Sequence, residues 1–249
     1  MNAPAKVHPG ERIAKVIARA GVCSRRDAER LIEDGRVAVD GKTIRSAALN
    51  VTDANTITVD GEPLAAPERS RLWRFHKPRG VITAARDPQG RTTVDALLPN
   101  DMPRVMPIGR LDYPSEGLLL LTNDGALKRH LELPATGWIR RYRARVYGEL
   151  DLDALKGLAR GITVEGVQYG PIEVEVEHAG SARNAWLSVA LREGKNREVR
   201  KVLAHLGLQV NRLIRVAYGP FQLGTLKEGG VEEVGAKVLK EQLGKMLRK

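Results

Sequence analysis

The sequence predicts an α+β protein in two parts, the larger second part built around a mixed, mainly antiparallel sheet. Three observations predict it. Two short helix-like segments followed by two Asp-Gly turns occupy the stretch from Glu11 to Leu64. Beyond Pro67, strand-like segments outnumber helix-like ones and do not alternate in the βαβ manner of a parallel sheet. Charge is also divided: up to Ser70 there are 11 basic and 10 acidic residues, and after it 30 and 20.

The elements follow in order. ERIAKVIARAG places Ile13, Val16, Ile17 and Ala20 at helical spacing, with Gly21 to end the helix. Ser24 is set to cap RRDAERLIEDG, with Asp27 in the capping-box place and Gly35 as the stop. RVAVDGKTI and TITVDGEPL read as hairpins turning at Asp40–Gly41 and Asp60–Gly61. LAAPERSR then reads as a linker. Strands are expected in RLWRFHKPRGVIT, GLLLLTND, RRYRARVYGEL, IEVEVEHA, AWLSVAL and RLIRVAYGP. LDALKGLARG and NREVRKVLAHLG are expected to be helices, and AKVLKEQLGKMLRK a solvated basic helical tail.

Composition excludes several classes. With 42% hydrophobic residues the chain can bury a core, and its formal charge of +11 favours a polyanionic partner. No apolar run approaches the ~18 residues of a membrane span, and MNAPAKVHPGER has no apolar signal core. Cys23 is the single cysteine and the five histidines are scattered, so no metal site is expected and a reduced, cytoplasmic setting fits.

Three constellations carry candidate chemistry. In GRLDYPSEGLLLLTNDG a loop delivers Asp112 to the start of an apolar run that belongs in a core and is consistent with a strand buried on both faces. Such a carboxylate needs a positive partner, either for function or in a structural ion pair with Arg110. Asp124, before ALKRHLEL, reads as a helix cap. In LREGKNREVRKVLAHLG, Asn196 can cap a helix with Val199, Val202, Leu203 and Leu206 on its apolar side. Arg197, Arg200 and Lys201 crowd the other side, with Lys195 just before, either to meet an anion or as a solvated basic face. In GWIRRYRARVYG, Arg140, Arg141, Arg143 and Arg145 surround Tyr142, either as a single-stranded RNA surface or as an edge strand with a core-facing tyrosine.

In this order the motifs resemble those of bacterial ribosomal-RNA pseudouridine synthases of the RsuA/RluB group, over about Glu11 to Glu233. GRLDYPSEGLLLLTNDG is similar to the group's central motif, HKPRGVIT to its lysine–proline motif, REGKNREVRKVL to its basic motif and RLIRVAYGP to its closing strand. The resemblance implies a small S4-like RNA-binding domain at 11–66 and a pseudouridine synthase catalytic domain at 71–240. It implies that Asp112 is catalytic, that Tyr142 stacks on the target uracil and that Arg200 pairs with Asp112. Arg25, Arg26, Arg110, Arg140, Arg141, Arg143, Lys195, Arg197 and Lys201 are expected to contact RNA. The reaction implied needs no cofactor. The expected partner is ribosomal RNA, free or in a partly assembled subunit, met by a monomer without a membrane. The large-subunit (23S) branch is the first expectation, the small-subunit (16S) branch and a non-catalytic assembly factor the alternatives.

Overall fold

The computed structural model describes residues 10–179, 183–244 and 247. They form two compact units that divide between Ser70 and Arg71. In the first, β1 (Glu11–Arg12) leads into α1 (Ile13–Arg19), and α2 (Arg25–Glu33) follows. Ile13, Ala14 and Ile17 of α1 and Ala28 and Ile32 of α2 are buried, as helical spacing requires. Ser24 caps α2: its hydroxyl accepts from Asp27 N–H at 3.1 Å and donates to the Asp27 carboxylate at 2.6 Å.

β2 (Val37–Val39), β3 (Lys42–Ile44), β4 (Asn50–Val51), β5 (Ile57–Val59) and β6 (Glu62–Pro63) complete this unit. One sheet runs β3-β2-β5-β6, and β1 pairs with β4. Both expected hairpin turns form. Asp40 and Gly41 have φ of 49° and 77°, Asp60 and Gly61 53° and 84°, the consecutive positive values that a type I′ turn demands.

The second unit begins with β7 (Leu72–Lys77), β8 (Met106–Ile108), β9 (Glu116–Thr122), α3 (Gly125–Glu132) and β10 (Arg140–Tyr147). Next come α4 (Leu152–Gly157), β11 (Ile162–Val164), β12 (Val167–Tyr169), β13 (Ile172–Ala179), β14 (Asn184–Leu191) and α5 (Glu198–His205). β15 (Gln209–Tyr218), β16 (Phe221–Gln222), β17 (Val231–Glu233) and α6 (Ala236–Leu243) close it. The main sheet has the order β13-β14-β10-β15-β9-β7-β17, with β16 on β15 and β8 on β9. Among the described residues its pairs are antiparallel except β15 with β9. The sheet is therefore mixed and mainly antiparallel.

β9 sits inside this sheet and every one of its residues is buried. Leu118 and Leu120 pack with Leu127 and Leu131 of α3, while Leu119 and Leu121 pack with Trp73, Phe75 and Leu111 on the other face. A strand covered on both faces has no polar side to alternate with, which is why it reads as LLLL. The parallel seam with β15 needs Gly117, at φ 107°: a Cβ there would lie 2.4 Å from the Arg215 carbonyl oxygen.

Asp124 caps α3 through its Oδ1, which accepts from Ala126 N–H at 2.8 Å and Leu127 N–H at 3.4 Å. Asp124→Ala is expected to cost about 1–2 kcal/mol in denaturant unfolding without changing the fold; an unchanged midpoint would remove the cap from the stability of this region. The C-terminal helix corrects an expectation. α6 is not merely a solvated end, because Leu239 and Leu243 are buried against the Leu118 cluster. Residues 245, 246, 248 and 249 of that tail lie outside the described residues.

Candidate active site

The loop from Gly109 to Ser115 joins β8 to β9, and both ends are fixed by sheet pairing. Gly109 N–H donates to Glu132 Oε1 at 2.7 Å. Beyond it, every main-chain carbonyl from Arg110 to Ser115 accepts a hydrogen bond. Arg215 Nη1 reaches Arg110 O at 3.5 Å, and Thr83 Oγ1 donates to Leu111 O at 2.9 Å while accepting from Leu111 N–H at 3.2 Å. Lys77 Nζ donates to Asp112 O at 3.2 Å and Ser115 O at 2.7 Å, and Ser115 N–H to Asp112 O at 3.0 Å. Gly80 N–H donates to Tyr113 O at 2.8 Å, and Arg200 Nη2 to Pro114 O at 3.0 Å. With its carbonyls engaged in this way, the loop has little freedom to move the Asp112 side chain.

The donors come from far along the chain. β7 runs antiparallel to β9 with Lys77 opposite Gly117, so the lysine enters beneath the loop. It is fully buried and also donates to Pro78 O at 2.9 Å. Burial pushes the Lys77 ammonium down to about 8, against the opposing pull of Asp112. Arg215 reaches in from β15, with Nε on Leu118 O at 2.7 Å. Neither Lys77 nor Arg215 was expected at the site from the sequence. The lysine–proline motif was the one signal for the first, and the match of RLIRVAYGP to a closing strand the nearest to a signal for the second.

The Asp112 carboxylate is 28% exposed, and its Oδ2 lies 3.9 Å from Arg197 Nη1. This corrects two expectations. Arg110 is exposed and makes no ion pair with Asp112 among the described residues. Arg200 is not the ion-pair partner either. Its Nη1 and Nη2 donate to the carbonyls of Val210, at 2.9 Å, and Pro114, so it fixes the loop instead of the carboxylate. Burial, then Arg197, lowers the Arg200 pKa, and Asp112 works against that. Asn196 does not cap α5. Arg197 occupies the cap position at φ 52°, and that left-handed turn aims its side chain at Asp112.

β10 obeys strand alternation. Arg140, Ala144 and Val146 are buried, Tyr142 is half-buried, and Arg141, Arg143, Arg145 and Tyr147 are exposed. Tyr142 packs against the cluster holding Leu111, the residue before Asp112. The exposed arginines point to the face opposite Tyr142. Arg143 there pairs with Glu177 at 2.7 Å and lies over Trp186. Arg140 is corrected as an RNA contact: it is 9% exposed and donates to the carbonyls of Arg192 and Glu193 and to the Tyr218 hydroxyl.

Of the remaining basic residues, Lys195 bonds Gln168 O at 2.8 Å and pairs with Glu193, while Lys201 is half-buried on α5. Arg25 pairs with Glu29 at 3.4 Å, and Arg26 is exposed on α2. Among the described residues no three His, Cys, Asp or Glu side chains cluster as metal ligands, and no helix is long and apolar enough to cross a membrane.

Residues 71–205 match the model of the RNA pseudouridylate synthase family. The chain belongs to that family. As a pseudouridylate synthase it is an isomerase that acts on RNA, and residues 11–57 match the S4 domain. An uncharacterized RNA pseudouridine synthase of Rickettsia felis is 46% identical over 231 residues, covering 93% of this chain and 100% of that protein. The ribosomal large subunit pseudouridine synthase B of Yersinia pestis is 40% identical over 237 residues, covering 92% of this chain and 74% of that one. A crystal structure of a pseudouridylate synthase, 22% identical, shares the fold with a TM-score of 0.66 over 93% of this chain and 99% of that chain.

Proposed function

We propose that this synthase isomerises one uridine of ribosomal RNA, in the large subunit, and that Asp112 is its catalytic carboxylate. The observation that carries the assignment of Asp112 is the loop from Arg110 to Ser115, whose carbonyls are all engaged, with Arg197 standing opposite the one carboxylate it presents. The choice of RNA rests on the 40% identity to the Yersinia pestis protein named for the large subunit. The setting proposed is the cytoplasm, with a monomer acting on free RNA or a partly assembled subunit.

The reaction breaks the bond between ribose C1′ and uracil N1, turns the base and forms a bond from C1′ to C5. The C5 proton leaves and N1 gains one, so nothing is oxidised and no group is donated. Reaching the uridine means taking it out of its stack, which costs a few kcal/mol. Stacking on Tyr142 offsets about 1–3 kcal/mol of that. Asp112 then acts on the ribose, either as nucleophile at C1′ or as base at the adjacent proton, while Arg197 supplies counter-charge. Arg200 and Lys77 act through the backbone, holding Asp112 at a fixed distance from the sugar.

The test is pseudouridine mapping of both ribosomal RNAs in cells lacking the gene, complemented by wild type or by Asp112→Asn. One large-subunit site is expected to vanish and to return with wild type alone. Loss of a small-subunit site instead would overturn the choice of RNA, and rescue by the asparagine variant would overturn the role of Asp112.

A further inference from the structure

The segment carrying Arg197 and Arg200 rests on two carboxyl groups that the proposed reaction does not use. Glu198, in the first turn of α5, is 3% exposed. Its Oε2 accepts from Lys195 N–H at 2.8 Å, closing the turn that leads into the helix, and its Oε1 is buried with no hydrogen-bond partner. Beside it Glu193 accepts from Gly170 N–H at 2.6 Å and from the Lys195 ammonium. Glu198 is out of water, while Glu193 is part-exposed and paired with Lys195. A buried carboxylate beside a second one gives up its charge most readily, and a proton held between them would also give the orphaned Oε1 its partner.

The surroundings leave that proton little competition. Lys195 faces the pair, but its ammonium is committed to Glu193, to Gln168 O and to the Tyr169 ring of β12. β11, packed against α5, brings Ile162 and Val164 and no titratable side chain. β15, packed there too, commits Arg212 to Glu116 and Arg215 to Leu118 O. On α5 itself Arg197 turns to Asp112 and Arg200 to Pro114.

We propose that Glu198 is a positioning residue: protonated and paired with Glu193, it locks residues 193–200 so that Arg197 faces Asp112 and Arg200 holds the Pro114 carbonyl, and loss of the proton loosens that lock. The inference rests on the reading of Asp112 as catalytic. Burial, reinforced by Glu193, pushes the Glu198 carboxyl up to about 7, while Lys195 and the Gly170 N–H bring Glu193 below its ordinary value although burial opposes them. The lock is therefore intact below about pH 7 and opens as pH rises through it.

The experiment compares full-length wild type with Glu198→Gln, which carries no charge and can still donate a hydrogen bond. Pseudouridine formation on transcribed 23S and 16S ribosomal RNA is followed from about pH 6 to about pH 8. Wild-type kcat is expected to fall roughly three- to tenfold with KM little changed, while the variant stays within about twofold. Lys77 titrates alike in both proteins, so the difference isolates Glu198. Without RNA, infrared spectra are expected to show a protonated carboxyl band that titrates near pH 7 in wild type and is missing from the variant. Should Glu198→Gln not fold, Glu193→Gln removes the like charge and must move that band to lower pH. Identical pH profiles, or no such band, would overturn the lock. Failure of wild type to modify either RNA would instead count against the proposed function, with the infrared titration still deciding the proton.

Discussion

Asp112→Asn is expected to lower turnover by about four orders of magnitude or more and to leave RNA affinity within a few-fold. Asparagine has almost the shape of aspartate. None of the bonds that hold the loop uses the Asp112 side chain: they run from Lys77, Thr83, Gly80, Arg200, Arg215 and Ser115 to main-chain carbonyls, and from Gly109 and Leu111 N–H to Glu132 and Thr83. The loop should therefore keep its position, and the substitution weakens the 3.9 Å pairing of the side chain with Arg197 without touching those bonds. What disappears is the ability to attack C1′ or to take a proton, which no amide supplies. Affinity should stay level or rise slightly, because phosphate contacts come from Lys and Arg and the substitution removes a negative charge from among them. Single-turnover assays beside filter binding separate the two effects. Turnover near the wild-type level would take Asp112 out of the mechanism, and loss of binding in parallel would make it a structural residue.

Much of this was legible because it is local. An apolar run of four leucines has one stable place, and Asn-Asp-Gly after it can cap a helix without reference to anything distant. The same holds for Ser24 and for the Asp-Gly turns. What escaped was set by pairing across the sheet. Arg140 to Arg145 read as one cluster around Tyr142, yet a strand sends neighbours to opposite faces, so the tyrosine and the exposed arginines separated and Arg140 went inward. The alternation was available in the sequence and was outweighed by composition. Whether Arg197 or Arg200 meets Asp112 was less accessible. Both lie on one side of a helix start, and the choice depends on a left-handed residue at Arg197 that helical periodicity does not announce. Lys77 was hidden for a third reason: it lies 35 residues before Asp112, and only the pairing of β7 with β9 brings it beneath the loop.

Lys77→Met is expected to cut turnover by about two orders of magnitude while changing stability by no more than about 2 kcal/mol. A charged lysine is costly in this position. The fall of its pKa from 10.5 to about 8 corresponds to roughly 3 kcal/mol disfavouring the ammonium. Methionine fills similar space and removes that penalty, but it leaves the carbonyls of Pro78 and Ser115 without this donor, at about 1–3 kcal/mol each. Asp112 O keeps the Ser115 N–H. The two contributions oppose each other and nearly cancel, so the fold gains little from holding a lysine here. The site gains its geometry. With the donor gone, the 112–115 turn has no anchor from below, and an ångström of drift in Asp112 is worth about a hundredfold in rate. In wild type the sign with pH follows from the depressed pKa. The stabilising contribution of a neutral Lys77 is complete above about 10.5 and is lost as pH falls through about 8. Activity should run the other way, declining above about pH 8 as the ammonium gives up one of the three N–H groups that its three carbonyls use. Denaturant melts, turnover of Lys77→Met and the alkaline limb of the wild-type profile test this together. A large loss of stability with near-normal turnover in the folded fraction would make Lys77 a residue of the core and not of the site.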